Sequence, residues 1–226
     1  MNSRPGPTSD NPFLRHLLSP VFLDSLAPAH RVDLEKSGIT ETTRREQGFR
    51  SVPPSDFERL LGRSVSSAII SMMVVPFPDF DGGWMDHFQV KLFPALVDEQ
   101  GHTTKYLQPT NSPPRLYLVR QALARVLDPT APLHLVEGQK KACTAAQLGL
   151  AALGFSGIHG WHERGVRTLL PDFEAIPLRG RRVDLVPDGD VSTNPHVEGG
   201  AAAFAHALEA RGAHVELVVL PVEIRR

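Results

Sequence analysis

The stretch 133-LHLVEGQKKACTAAQLGLAALGFSGI-158, followed by 181-RRVDLVPDGD-190, decides the fold. LHLVEG reads as a strand that runs directly into an acid. KKACTAAQLGLAAL reads as a helix, GFSGI as a short strand, and RRVDLVPDGD as a strand ending in two acids. Farther on, PHVEGGAAAFAHALEARG is a helix with Pro195 near its first turn and Gly212 past its end, the placement those residues favour. HVELVVLP is the closing strand. Four short strands separated by helical stretches predict a mostly parallel, four-stranded α/β sheet with flanking helices.

Ligands of open α/β sheets bind beyond the carboxyl ends of the strands. Two strands end there in acids: Glu137-Gly138, and Asp188-Gly189-Asp190. Asp188 and Asp190 are two apart, so they leave the same side of an extended backbone. Parallel strands would gather all three carboxylates at one rim. Such a cluster raises its own pKa values, and a divalent cation removes that cost. A site of carboxylate oxygens suits Mg²⁺ or Mn²⁺ better than zinc. Mg²⁺ held this way grips phosphate oxygens and stabilises attacking and leaving oxygens. As a bare motif, Asp-x-Asp is weak and reads as a polar turn after a strand. The strand-end Glu137 upstream strengthens it.

Working outward, residues 1–12 are rich in Pro, Ser, Gly and Asn and read as a disordered tail. Residues 13–36 show helix-like apolar spacing interrupted by Pro20 and Pro28, and Thr40 is a candidate cap for a short helix ending near Gly48. From Ser66 to Leu118 the chain is β-rich, with Asp81-Gly82-Gly83 and the 98–101 stretch as turns. Residues 119–128 read as a helix ended by Pro129. The expected division is therefore 1–12 tail, 13–130 helical and β-rich α+β subdomain, and 131–226 α/β domain. Of the 226 residues 41% are apolar and 22% charged, an ordinary globular composition. The net charge of −1 excludes a global basic field, so any nucleic-acid binding must use a local patch. One cysteine, Cys143, excludes an internal disulfide and a Cys-rich zinc site, and points to a cytoplasmic setting. No apolar run is long enough to span a membrane.

The order LHLVEGQKKACTAAQLG, GFSGI, RRVDLVPDGD, helix, HVELVVLP resembles the Toprim domain. This Rossmann-like catalytic fold is shared by DnaG-type primases, type IA and type II topoisomerases, and some nucleases. The resemblance implies that Glu137 acts as general acid or base and that Asp188 and Asp190 bind Mg²⁺, with Glu137 joining the metal cluster. The β-rich segment also resembles the region before Toprim in DnaG-type primases. In this chain their Lys-Tyr-Leu-x-x-Pro stretch is Lys105, Tyr106, Leu107, Gln108, Thr110 and neighbours, with Pro109. The nearest likeness is to Toprim-like proteins of phages, plasmids and other mobile genetic elements, often joined to a helicase. Their SGIT and GFRSV patterns stand at Ser37–Thr40 and Gly48–Val52. The likeness covers roughly residues 30–221. Two departures are a missing Cys-rich zinc ribbon and a missing P-loop pattern. The chain also ends soon after VVLP, where relatives usually continue to a further acidic segment.

Phosphates need cations. Lys140 and Lys141 open the helix after Glu137, where a helix N-terminus already favours phosphate. Lys91 and Lys105 lie in the β-rich part. By resemblance Lys105 lines a template groove, and Tyr106 can stack a base or pack in the core. Arg179, Arg181 and Arg182 precede the strand that carries the Asp pair, at its amino end opposite the site, and read as surface residues. Asn194 is a candidate to hold a water on the metal. In GIHGWHERG, the spacing of His159, His162 and Glu163 does not match a helical zinc motif, and Trp161 reads as a packing residue. The resemblance implies a primase-like nucleotidyltransferase that uses Mg²⁺ (or Mn²⁺) to join nucleotides on a single-stranded DNA template, with a replicative helicase as a partner. A Toprim nuclease and a non-catalytic nucleic-acid- or helicase-binding module are the alternatives.

Overall fold

The chain divides between Ser112 and Pro113 into two compact units. The computed structural model describes residues 26–189 and 194–219. The expected tail, the first part of the 13–36 segment and Asp190 lie outside the described residues. Among the described residues, no helix is long and apolar enough to cross a membrane.

In the first unit, helix α1 (Pro28–Glu35) begins at Pro28. The proline starts this helix rather than breaking it, because a missing N–H costs nothing in the first turn. Helix α2 (Glu41–Glu46) is capped as expected: the Thr40 hydroxyl accepts the Thr43 N–H at 3.3 Å. Strand β1 (Arg50–Val52) and helix α3 (Phe57–Leu61) follow. Strands β2 (Ser71–Pro78), β3 (Trp84–Val97) and β4 (Thr103–Leu107) complete an antiparallel sheet in the order β1-β2-β3-β4. Phe57, Leu60 and Leu61 of α3 pack with Met72, Val74, Val90 and Leu92 on one sheet face. On α1, the buried His30 ring bonds Ser51 at 2.7 Å and Ser71 at 2.9 Å. Burial holds its pKa below the usual histidine value, with Asp33 opposing and Lys91 assisting.

The second unit contains strand β5 (Tyr117–Leu118), helix α4 (Leu123–Leu127), β6 (Leu133–Glu137), helix α5 (Gln139–Gln147) and β7 (Ala151–Phe155). It ends with β8 (Arg182–Val186), helix α6 (Pro195–Glu209) and β9 (His214–Leu217). The sheet order is β5-β7-β6-β8-β9, with β6, β7, β8 and β9 parallel to their neighbours and β5 antiparallel at one edge. This is the expected mixed α/β architecture with a parallel-rich sheet and flanking helices, plus one two-residue edge strand. Residues 113–130, expected to end the first domain, belong to this unit, because the β5 backbone pairs with β7.

Two local expectations change. The helix after Glu137 stops at Gln147, and Ala151–Phe155 is strand. Gly149, at φ +86°, turns the chain back, and Ala151 and Ala152 pair in register with Leu133 and His134. The second concerns Arg181, which is 2% exposed rather than on the surface. Its guanidinium donates to the carbonyls of Ala131 (2.7 Å), Val126 (2.7 Å), Arg125 (3.0 Å) and Pro177 (3.3 Å).

The helices cover opposite faces of this sheet. A Cβ at Gly154 would lie 3.3 Å from the Ala142 Cβ of α5. The next residue, Phe155, meets Phe204 of α6 edge-on at 5.4 Å. Neighbouring residues of a strand point to opposite faces. Trp161 stacks flat on Phe204 at 5.1 Å, and Phe173 meets its edge at 6.0 Å. The aromatic cluster anchors α6 and the 156–181 connection to one face. Full burial of a ring such as Phe204 contributes about 2–3 kcal/mol.

Candidate functional site

The chain leaves β6 toward β7 and leaves β8 toward β9, in opposite directions from two adjacent central strands. That reversal opens a crevice at the carboxyl ends of β6 and β8. Glu137 ends β6, and Asp188 follows β8 by two residues. The register Val136↔Val186 sets the two strand ends level.

Glu137 and Asp188 do come together. The Glu137 Oε2 accepts the Asp188 backbone N–H at 2.8 Å. Gly138 turns the chain from strand to helix with φ +97°, a conformation that a side chain would strain. Its N–H bonds the Phe155 carbonyl at 2.8 Å, which ties the β6 and β7 ends together. On the first turn of α5, the Lys141 ammonium is hydrogen-bonded and ion-paired to Asp188 Oδ1. Both side chains are about half exposed. Lys140 precedes Lys141 on the same first turn, where consecutive residues point about 100° apart.

The donor chemistry fits a hard divalent cation. Two carboxylates share the crevice, and a protein cation already sits against one of them. Glu137 and Asp188 would hold Mg²⁺ through oxygen. The third expected ligand, Asp190, lies outside the described residues, and no group of three acids or other ligating side chains is assembled among those described.

The remaining expected residues are in the first unit. Lys91 is ion-paired to Asp33, lies 5.2 Å from the Phe93 ring centre, and its side chain is only 12% exposed. Its charge is neutralised inside the unit, which makes it a structural rather than a phosphate-facing cation. Lys105 is exposed on β4, and Tyr106 beside it is half-buried, in register with Lys91. Asn194 caps α6, its side-chain oxygen accepting the His196 N–H at 3.1 Å. Cys143 is buried as expected, and desolvation pushes its thiol up to about 12.

The sequence reading missed a carboxylate and a cavity. Asp172 is buried and accepts from Arg115 (2.7 and 2.8 Å) and from the Leu116 N–H (2.7 Å). Its position in a short 3-10 turn carries no periodic signal. The cavity lies between the loop after β7 and the start of α6.

Residues 124–225 match a family model described as a domain of unknown function, DUF3854. No curated protein matches the chain. Among solved structures, the chain is similar to the zinc-binding and RNA polymerase domains of the Aquifex aeolicus primase. That match has a TM-score of 0.64 at 14% identity and covers 92% of this chain and 54% of the other. The chain shares its fold with DnaG primase catalytic cores. A DnaG catalytic core aligns with a TM-score of 0.58 at 17% identity, covering 92% of this chain and 72% of that one. The DnaG primase catalytic domain bound to ssDNA aligns at 0.55 and 18%, covering 92% and 73%. The chain thus spans about half the length of that Aquifex chain and roughly three quarters of the other two.

Proposed function

We propose that the second unit is a Toprim domain and that the chain is a primase-like nucleotidyltransferase core acting on single-stranded DNA. The observation that carries this reading is the Glu137–Asp188 contact at the point where the strand order reverses. Glu137, Asp188 and Asp190 would hold Mg²⁺ or Mn²⁺. When bound, the ion would neutralise the phosphates of the incoming nucleotide and of the pyrophosphate that leaves. Glu137 would accept the proton of the attacking 3′-hydroxyl, whose oxygen forms the new bond to the α-phosphorus. The Asp188 N–H orients Glu137, and Lys141 can move from Asp188 to a substrate phosphate. Chemistry of this type depends mainly on positioning and charge neutralisation. Lys105 and Tyr106 would contribute to a template track, one by charge and the other by stacking. By the same likeness, the setting would be replication of a phage, plasmid or other mobile element, alongside a helicase.

The test is incubation with single-stranded template, labelled nucleotides and Mn²⁺. New primers support the proposal, and a shortened template means a nuclease. Asp188→Asn and Asp190→Asn should each abolish the activity; activity retained by both would refute the assignment. One observation favours a second reading, a non-catalytic binding module: Lys141 already supplies Asp188 with a cation. Strand binding that ignores both Mn²⁺ and Glu137→Gln, without synthesis, would mark that module.

A further inference from the structure

A cavity of about 380 Å³ lies between the loop that follows β7 and the first two turns of α6. Its floor is the small-residue face of Gly199, Gly200 and Ala203. Gly200 is required there, because a Cβ would come within 3.0 Å of both His159 and Ile158. The polar wall consists of His159, His162, His196 and Arg167. Among the described residues no carboxylate lines it, in a chain with 25 acids and a net charge of −1. Arg167 is exposed, and no acid pairs with it among the described residues. His162 donates from Nδ1 to the Glu163 carbonyl at 2.8 Å, since a carbonyl can only accept. His159 and His162 stand with ring centres 6.2 Å apart. Among the described residues the histidines belong to no metal-ligating group.

Trp161 also lines the cavity and is 2% exposed. A ligand rich in acceptors would suit the one guanidinium and three imidazoles of the wall.

The position is informative. The β7 end is in register with Glu137, and Gln139 donates to Ser156 at 2.8 Å where the loop begins. Helix α6 begins seven residues after Asp188. The cavity therefore belongs to the same edge of the sheet as the acid pair.

We infer that this cavity is a phosphate-chain site, distinct from the carboxylate crevice, that binds without a metal ion. Its volume exceeds what one phosphate needs and admits two or three linked phosphates. The chain is supplied either by a nucleoside triphosphate or by the backbone of a single strand. The inference rests on the proposed function only for that choice of phosphate-bearing ligand.

The experiment is calorimetric titration of the full chain with tripolyphosphate in EDTA. Binding should be detected and should weaken about tenfold in Arg167→Ala and in His196→Ala, both exposed positions. Arg164→Ala, which is outside the lining, should bind as the parent does. Competition identifies the source: displacement by ATP indicates a nucleotide, and displacement only by an oligodeoxynucleotide lacking a terminal phosphate indicates a strand. Asp188→Asn should leave tripolyphosphate binding intact, so failure of the nucleotidyl-transfer reading and failure of the cavity are separable. Absence of binding at millimolar tripolyphosphate, or equal affinity in all three alanine variants, would overturn the inference.

Discussion

The two ends of the parallel sheet use charge in opposite ways. At the amino end, Arg181 is buried and spread over four backbone carbonyls. At the carboxyl end, Asp188 and Lys141 are half exposed, and their charges meet in a direct ion pair open to solvent. Buried donors that are fully bonded fix a structure, whereas exposed charges at a strand end can exchange partners. The first arrangement is a clamp and the second is a site.

The sharpest way to break this contrast is Arg181→Ala. It strands buried carbonyls of the 125–131 turn and of Pro177, and should cost on the order of 3–5 kcal/mol. Urea unfolding measures it, and a loss under about 1 kcal/mol would show that the clamp is not structural. Asp188→Asn should do the reverse. Its effect on unfolding should stay within about 0.5 kcal/mol, while Mn²⁺-dependent primer synthesis falls by at least about 10²-fold. A destabilised Asp188→Asn protein would make the crevice acids part of the scaffold.

A second buried arginine, in the first unit, sharpens the comparison. Arg50 is 1% exposed and donates from Nε to the Gly48 carbonyl at 2.9 Å. Its two terminal nitrogens have no partner among the described residues. Desolvation lowers its pKa to about 10. The folded state thus binds this proton less tightly than the unfolded chain, and the charged form costs stability at every pH below about 10. Arg50→Met removes that charge while keeping an apolar stem, and should raise stability at neutral pH by about 2 kcal/mol. The difference from the parent should narrow as pH rises through about 10, where the parent begins to lose the proton. A destabilised variant would mean that Arg50 has a partner in the functioning protein.

These cases show what the sequence made legible. Periodicity and capping placed β6, β8, α2 and α6, because apolar alternation, Thr40, Pro195 and Gly212 act locally. The acids at two strand ends were readable because parallel strands bring their carboxyl ends together. Other features depended on partners distant in sequence. Ala151 and Ala152 favour helix by themselves and become strand only by pairing with Leu133 and His134. Arg181 looks like one of three surface arginines until the carbonyls of residues 125–131 surround it. Its neighbour Arg182 keeps the expected exposed position, pairing with Asp184 and Glu216. His159, His162 and His196 form no metal motif in sequence, and become neighbours only when α6 docks on the loop after β7.

The smallest expected effect concerns Lys141. Its pair with Asp188 is half exposed, so the attraction is within the range of surface ion pairs, about 0.2–1 kcal/mol. A divalent ion at Asp188 would have to displace the ammonium or share the carboxylate with it. Lys141→Met removes that competitor and should tighten Mn²⁺ binding about two- to fivefold, by titration. The same change should weaken nucleotide binding, because the displaced ammonium is then missing from the phosphate. Tighter metal with weaker nucleotide would identify Lys141 as a cation that passes from the acid to the substrate. If both weakened together, the lysine would be holding the crevice in shape, and the carboxyl edge would resemble the clamp at the opposite end of the sheet.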